Sequence, residues 1–306
     1  MLNFIRNLFI VFTILLIAAC AMRGQVVIGD TESLAGLKAM GSTNGKRLRS
    51  VPSMGRIREM GLRETALTIG AQSGLAWRAK CINEQLVRQT RRLDAIYDFN
   101  ALVLAHNILP PVLLEGRNTF NLESDQAIRI SDRTYKISRQ AHFITTSPHW
   151  RQYLWMDYQK PDCPNITLLP TTREEKRIWM ECVERGWKNG VEQANVILEE
   201  NIARIKEDFV GMILYRKLLA MNMVSPPYVS NTDLGVTGDG SEIHIDDRVL
   251  RITALPALNI NSKEWQAAVS KDEEALAHFR NMEKLASTAK ITITSKAWQP
   301  VIEPVN

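Results

Sequence analysis

Apolar residues recur every three or four positions in two long stretches of the chain, the period of an α-helix that buries one face. The first stretch begins at Arg56, and its stripe consists of Leu75, Ala79, Ile82, Leu86, Gln89, Leu93 and Ile96. The second predicts a helix over 190–223, with a stripe of Val191, Ala194, Leu198, Ile202, Ile205, Phe209, Met212 and Leu219. That helix must end before Pro226-Pro227, because a residue that precedes proline disfavours helical backbone. Both stripes favour packing in a core over binding a partner.

Two shorter segments alternate between apolar and polar residues, IRISDRTYKI at 128–137 and IHIDDRVLRI at 243–252. Each predicts two short strands around a turn near its Asp-Arg step. The two segments match at an offset of about 115 residues, and Pro110-Pro111 corresponds to Pro226-Pro227, one residue out of step. We infer an internal duplication in which each copy runs from a long helix through a Pro-Pro break and a loop to a hairpin.

A Ser-x-x-Trp step follows an extended-looking stretch three times, at Ser147–Trp150, Ser262–Trp265 and Ser295–Trp298. Serine is a favoured N-cap, since its hydroxyl accepts a free backbone N–H at the start of a helix. The tryptophan three residues later would then fold over the end of the sheet. The alternative is a coincidence among seven tryptophans.

These patterns predict an α+β fold with two related units, each a helix followed by a small antiparallel hairpin. The units would cover about 75–155 and 190–306 within a domain at 54–306. Residues 20–53 carry scattered glycine, serine, threonine and charge without periodicity, and we interpret them as a flexible tether. About 30 flexible residues span roughly 30 Å.

The N-terminus combines a short apolar segment with a cysteine. Leu8–Ala19 is apolar except for one threonine, and it is shorter than the roughly 20 residues that a membrane-spanning helix needs. The sequence IAAC at 17–20 resembles a bacterial lipobox, which predicts a signal peptide at 1–19, cleavage between Ala19 and Cys20, and a lipid on Cys20. Ala21, in place of aspartate, favours the outer membrane among such signals. The alternative is an uncleaved anchor with a chance cysteine.

Composition narrows the class of protein. A hydrophobic fraction of 45% supports real cores, and a net charge of +5 is far below that of a typical nucleic-acid binder. Three cysteines follow Cys20, namely Cys81, Cys163 and Cys182. An odd number at wide spacing excludes a disulfide framework, leaves one disulfide open in an oxidising compartment, and favours free, buried thiols.

No motif predicts catalysis, a metal or a cofactor, apart from the covalent lipid on Cys20. The segment at 234–240, with Gly235, Gly238 and Gly240, leads into an alternating stretch, so it predicts a loop before a hairpin and not a phosphate site. The five histidines form no H-E-x-x-H motif, and no G-x-S-x-G motif is present. An enzyme site assembled from distant residues stays open.

Five stretches together resemble one family: ETALTIGAQSGLAWRAK at 64–80, LDAIYDFNALV at 93–103, HNILPPVLLEGRNT at 106–119, RGWKNG at 185–190 and GVTGDGSEIHIDDRVLRIT at 235–253. They resemble the DotC-like lipoproteins of the type IVB (Dot/Icm) secretion system, which is related to plasmid conjugation machinery. The resemblance covers most of residues 56–300. It implies a non-enzymatic protein of the outer-membrane core complex, which acts with a DotD-like lipoprotein and helps a DotH-like protein reach the outer membrane.

The resemblance also sets expectations about contacts. Multiple copies in a ring, lipid-anchored at the periplasmic face of the outer membrane, would bury sheet edges or helix faces against these neighbours. We expect the Pro110-Pro111 and Pro226-Pro227 loops and the glycine loop of Gly235, Gly238 and Gly240 to be exposed for such contacts. The alternatives are a cell-wall-binding or envelope-structural lipoprotein and a periplasmic hydrolase.

Overall fold

The computed structural model describes residues 30–41, 55–266, 273–289 and 291. The predictions on Ala19, Cys20, Ser295 and Trp298, on the signal peptide and on most of the tether lie outside these residues. Within them the chain combines long helices with small antiparallel hairpins, which confirms the predicted α+β class.

The helices and strands follow one another in a simple order. In that order they are α1 (Leu34–Ala39), α2 (Arg56–Arg88), α3 (Thr90–Ile96), β1 (Ile108–Leu109), β2 (Val112–Ser124), β3 (Ala127–Arg139), β4 (His142–Phe143), α4 (Trp150–Leu154), α5 (Arg173–Ala220), β5 (Tyr228–Gly238), β6 (Ile243–Ala254) and α6 (Glu273–Thr288). The strands of the described part pair as three two-stranded antiparallel sheets, β1 with β4, β2 with β3, and β5 with β6. Across the same residues, no helix has both the length and the apolar character to cross a membrane.

The chain forms two compact units, and both are discontinuous in sequence. Among the described residues, unit 1 takes those up to Glu84 and Met156–Ile197, and unit 2 takes Gln85–Trp155 and those from Leu198 on. The divisions fall inside α2 and α5, so each long helix contributes to both units. Both long hairpins belong to unit 2, and the repeat boundaries 75–155 and 190–306 therefore do not coincide with these units.

The two predicted helices are present, with different bounds. The first begins at Arg56 as expected but breaks at Gln89, where the hydroxyl of Thr90 donates to the carbonyl of Val87 at 2.8 Å in place of a regular helical bond. The second begins at Arg173 instead of residue 190 and ends at Ala220, before Pro226-Pro227.

The early start of α5 is explained by a cap that the sequence contains. The backbone N–H of Glu175 donates to the Thr172 hydroxyl at 3.1 Å, and the Glu175 carboxylate accepts the backbone N–H groups of Thr171 and Thr172. This is a capping box, and its signature, a threonine followed three residues later by glutamate, begins at 172. Arg58 of α2 then binds the same carboxylate through two nitrogens, at 2.6 and 3.1 Å.

Helices α2 and α5 cross in unit 1 at four glycines, Gly70, Gly74, Gly186 and Gly190. Each helix carries two of them four residues apart, a spacing that places both on one face. A Cβ atom on Gly70 or Gly74 would lie 2.5 Å from a carbonyl oxygen of α5, and one on Gly186 or Gly190 would meet a carbonyl oxygen of α2 still more closely. The helices therefore pack backbone against backbone here.

The core of unit 1 surrounds this crossing. Its buried members are Leu37, Met40, Leu62, Ala66, Ile69, Leu169, Ile178, Trp179, Cys182, Val183 and Trp187. The indole N–H of Trp179 donates to the carbonyl of Leu37 at 2.9 Å, which holds α1 onto the helix pair. Leu37 and Met40 are buried, so the expectation of a flexible tether over 20–53 is wrong for this part of it. The thiols of Cys81, Cys163 and Cys182 are free; Cys182 is buried and Cys81 is half-buried, whereas Cys163 is exposed, so the expectation of burial is wrong for Cys163.

The predicted hairpins exist, but their strands are assigned differently. IRISDRTYKI lies wholly within β3, and IHIDDRVLRI lies wholly within β6. Each pairs with the strand before it, across turns at 125–126 and 239–242, so the expected turn at the Asp-Arg step is wrong. Alternation predicts a strand but carries no information about its partner, which here comes from the preceding segment.

The order of elements recurs at one offset. In each case a long helical stretch is followed by Pro-Pro and a hairpin, and the chain then pairs with the residue two positions before the first proline. Ile108 pairs with Phe143 in the first case, and Val224 bridges Leu258 in the second. These pairs differ by 116 and 115 residues, as the sequence repeat does. The internal duplication stays a prediction, with this recurrence in its favour.

The Ser-x-x-Trp steps do not form the predicted caps. His149, not Ser147, caps α4, since its ring nitrogen accepts the N–H of Arg151 at 3.2 Å. Asn261, not Ser262, caps the short 3₁₀ turn at Ser262–Glu264. In both cases the residue just before the turn supplies the acceptor. Trp150 is fully buried and Trp265 is exposed, so the steps also differ in packing.

We expect substitution at the helix crossing to be far more costly than substitution at a glycine elsewhere in α2. Gly74→Val places side-chain atoms against a carbonyl of α5, and we expect it to lower the free energy of unfolding by about 3 kcal/mol. Gly61→Ala is the matched control, because a Cβ there meets no atom within 4 Å and alanine favours helix by about 1 kcal/mol. Urea unfolding of both variants checks this; equal losses would contradict the close approach.

The Glu175 carboxylate makes stability depend on pH. Burial alone would raise its pKa, but the bonds from Arg58 and Thr171 outweigh burial and lower the pKa from 4.5 to about 2. Because the pKa is lower in the folded state, the stabilisation is complete above pH 4.5 and is lost as the pH falls towards 2. It amounts to about 3 kcal/mol.

We therefore expect Glu175→Gln to be less stable than the unaltered chain at pH 7, and the difference to shrink steadily between pH 5 and pH 2. Denaturant unfolding at a series of pH values measures it. Glu174→Gln, one residue earlier and exposed, serves as the control. A difference that is constant across the series would show that the carboxylate charge contributes nothing.

Candidate interaction surface on two hairpins

Most of each long hairpin is exposed to solvent. Hairpin 1 is defined here as residues 112–139 and hairpin 2 as 228–254. Only the first residues of β2 are buried, and hairpin 2 has no fully buried residue along either strand. A two-stranded sheet alone in water is marginally stable, and its outer edges leave backbone donors and acceptors unpaired. Both hairpins are therefore candidate interaction surfaces.

Hairpin 1 carries four large apolar side chains near its turn. Phe120 lies opposite Ile130, and Leu122 lies opposite Ile128, so the four share one face. Each is between 61% and 72% exposed. Apolar residues on an amphipathic strand normally face a core, and these face none within the described chain.

Hairpin 2 repeats this arrangement. Val236 lies opposite Ile245, and Ile243 lies two residues nearer the turn on the same face. These three side chains are 67% to 75% exposed. Ile243 and Ile245 follow Ile128 and Ile130 by 115 residues, so the exposed apolar positions belong to the repeated part of the sequence.

The base of hairpin 1 is fixed to α5. Val112 and Leu113 are buried, and a Cβ on Gly211 would lie 2.8 Å from the carbonyl oxygen of Leu113, so glycine is needed for this approach. At the same base, the end of β3 is fixed as well, because Arg139, opposite Val112, forms an ion pair with Asp208, which is fully buried.

The buried Asp208 carboxylate also has a neutral partner. Tyr153 donates its hydroxyl to Asp208 at 2.8 Å, and burial raises the pKa of Tyr153, so this proton stays in place at neutral pH. Two partners compensate for the loss of water around the charge. The base of hairpin 1 is thus held by both packing and charge.

The base of hairpin 2 is held by its own contacts. Val224 packs with Leu113, Tyr215 and Leu218 in one buried cluster. Tyr215 donates its hydroxyl to the carbonyl of Ser225 at 3.3 Å, and burial raises the pKa of Tyr215 to about 12. Two hydrogen bonds between Ser225 and Ala257, each 2.9 Å, close the ends of the hairpin together.

The prolines of the two predicted interaction loops differ in their exposure to solvent. Pro110 and Pro111 are buried, so the expectation that they are exposed is wrong; they lead directly into the buried start of β2. Pro226 is exposed and Pro227 is half-buried. These prolines mark where each hairpin begins, and the sites for contact lie further along it.

The glycines of the predicted loop belong to hairpin 2. Gly235 and Gly238 lie in β5 with positive φ angles of 70° and 145°, and Gly240 lies in the turn. All three are exposed. The expected loop before a hairpin is therefore the second half of β5 and its turn. The sequence analysis did not single out the apolar residues beside these glycines, although their alternation was visible in IHIDD.

The chemistry of this surface is that of binding. Within the described ranges no three His, Cys, Asp or Glu side chains gather as a metal site would require. What hairpins 1 and 2 present is apolar side chains, open strand edges and charged residues beside them.

Comparison with known proteins places the chain among secretion proteins. A family model described as type IV secretory system, conjugal DNA-protein transfer, matches residues 56–267. The match covers more than half of the chain and includes α2, α5 and both hairpins. No curated protein matches the chain. The chain belongs to the type IV secretory system, conjugal DNA-protein transfer family, and it is a component of a type IV secretion system.

Proposed function

We propose that the protein is an outer-membrane lipoprotein of a type IVB secretion core complex. A lipid on Cys20 anchors it to the periplasmic face of the outer membrane, with the residues between Cys20 and α1 as the tether. It acts there with a DotD-like lipoprotein to localise a DotH-like channel protein, and it has no catalytic activity. The family match, the five DotC-like stretches and the lipobox support this proposal.

The exposed apolar faces of hairpins 1 and 2 are the observation that carries the proposal. A protein whose role is assembly must fold by itself and still expose an apolar surface that a partner can cover. Seven large apolar side chains near the two turns are at least 61% exposed, while the base of each hairpin is anchored in a core. A membrane tether raises the local concentration of such a surface for other tethered partners.

We expect Phe120→Ser combined with Ile130→Ser to weaken association with the secretion complex while the fold is kept. The two side chains are exposed, so the free energy of unfolding should change by less than about 1 kcal/mol. Association is measured by mild detergent extraction of the outer membrane followed by native sizing and identification of co-migrating proteins.

Ile57→Ser combined with Met60→Ser is the matched control, since these residues are at least as exposed but lie on α2. Unaltered co-migration of the hairpin variant with the complex would contradict a docking role for hairpin 1. A free monomer from the unaltered chain, under conditions that preserve other envelope complexes, would contradict the core-complex proposal itself.

The lipid anchor has a separate test. We expect Cys20→Ser to prevent lipidation and processing, and to remove mature protein from the outer-membrane fraction. Mass spectrometry of the N-terminus and membrane fractionation measure both effects. The control is Cys163→Ser, an exposed cysteine for which neither effect is expected. Outer-membrane recovery of the Cys20→Ser protein at the normal level would exclude the lipid as the anchor.

A further inference from the structure

Hairpins 1 and 2 share one design but differ in charge. In each, apolar rungs lie next to the turn, and charged rungs follow towards the base. In hairpin 1 the charged rung is Arg117 opposite Arg133. In hairpin 2 the residue 115 positions after Arg133 is Arg248, which lies opposite Asp233, and beside that rung Asp247 lies opposite Gly235.

The difference extends over the whole of each hairpin. Hairpin 1 contains five basic and four acidic residues, and hairpin 2 contains two basic and five acidic residues. From Gly235 to Asp247 there are four acidic side chains and no lysine or arginine. Two copies of hairpin 2 would therefore repel each other, and the same acids oppose binding to an anionic lipid surface.

Hairpin 1 holds cations with which those acids can pair. Arg133 is exposed and forms no ion pair within the described residues, and it faces Arg117 on the other strand, which itself pairs with Glu115 at 3.2 Å. Like charges directly opposite each other destabilise a sheet. An acidic strand placed alongside would relieve that repulsion.

We infer that hairpin 1 of one copy of this chain pairs edge to edge with hairpin 2 of the next copy. Joining the two makes a four-stranded sheet, in which an open edge from each hairpin becomes paired and the apolar rungs of both form one continuous face. The inference rests on the proposed function in treating the hairpins as docking surfaces, and it identifies the partner as a second copy.

The pairing has a consequence for assembly. Hairpins 1 and 2 are different patches on one chain, so each copy uses one patch towards each of two neighbours. Such heterologous contacts produce a closed ring or an open filament, and not a symmetric dimer. The polarity of the contact comes from charge, because two copies of hairpin 2 repel each other, whereas the acids of hairpin 2 attract the exposed Arg133 of hairpin 1.

Two charge-reversed variants of the full chain test this. Variant A carries Arg117→Glu and Arg133→Glu, which makes hairpin 1 acidic. Variant B carries Glu242→Lys and Asp246→Lys, which removes the acidic excess of hairpin 2. Asp239 and Asp247 are left unchanged, since Asp239 accepts three bonds within the turn and Asp247 accepts from Thr237.

The measurement is the self-association constant in mild detergent, by light scattering after size exclusion and by sedimentation. The unaltered chain should associate in a salt-dependent manner, and A and B alone should each associate at least tenfold more weakly. Mixing A with B should restore association, because each contact then joins unlike hairpins. A chain with all four substitutions should also associate again. Recovered association would show that the losses in A and B alone are not caused by misfolding.

Arg91→Glu with Arg92→Glu is the control, since it changes the same charge on exposed residues of α3 and should leave association unaltered. Monomers of the unaltered chain at every concentration, or failure of the four-substitution chain to recover, would overturn the inference. If A and B lose co-migration with other secretion proteins but keep normal self-association, hairpins 1 and 2 bind a different protein. That result would overturn self-pairing and leave the proposed function standing.

Discussion

Helices α2 and α5 approach each other in unit 1 so closely that no side chain larger than hydrogen fits between them. At Gly70, Gly74, Gly186 and Gly190 the backbones themselves are in contact, and the surrounding core, including Trp179 and Trp187, fills the space on either side. Dispersion contacts are short-ranged, so this arrangement is effective only if all four positions remain glycine. The same two helices continue into unit 2, where α5 supports the base of both long hairpins.

Unit 2 divides apolar residues between two uses. Near the bases of the hairpins, residues such as Leu113 and Tyr215 are buried and hold the structure together. Near the turns, residues of the same type are exposed and contribute little to the stability of the isolated chain. The buried Asp208 lies at the boundary, where its ion pair with Arg139 fixes one strand of hairpin 1 to α5. Anchored bases and free ends suit a protein whose role is to join others.

Much of this fold could be predicted from local sequence. The helical stripes, the stop before Pro226-Pro227 and the α+β class follow from periodicity and backbone chemistry, and the structure confirms them. The start of α5 at Arg173 was also readable, because Thr172 and Glu175 form a capping signature, and the glycine spacing in α2 and α5 was visible in the sequence.

The sequence could not predict which segments contact each other in the fold. Alternation identified β3 and β6 as strands but did not indicate that each pairs with the strand before it. Pro110 and Pro111 are buried just before Val112 and Leu113, which approach Gly211 of α5, a contact that no local pattern encodes. The exposure of Phe120 and Ile245 is a further case, since an apolar residue on a strand normally predicts a core.

The discontinuity of unit 1 has a consequence for how the chain acquires its structure. The glycines of α2 pack against those of α5, which lie more than 100 residues later in the sequence. The whole of 85–155, which belongs to unit 2, lies between them. Contacts at such separation slow folding, because the entropy of closing the loop is lost before any contact compensates for it. Synthesis proceeds from the N-terminus, so the apolar face of α2 in unit 1 remains uncovered until the chain has been synthesised as far as Ile197. The chain therefore completes unit 1 only after most of its length is available.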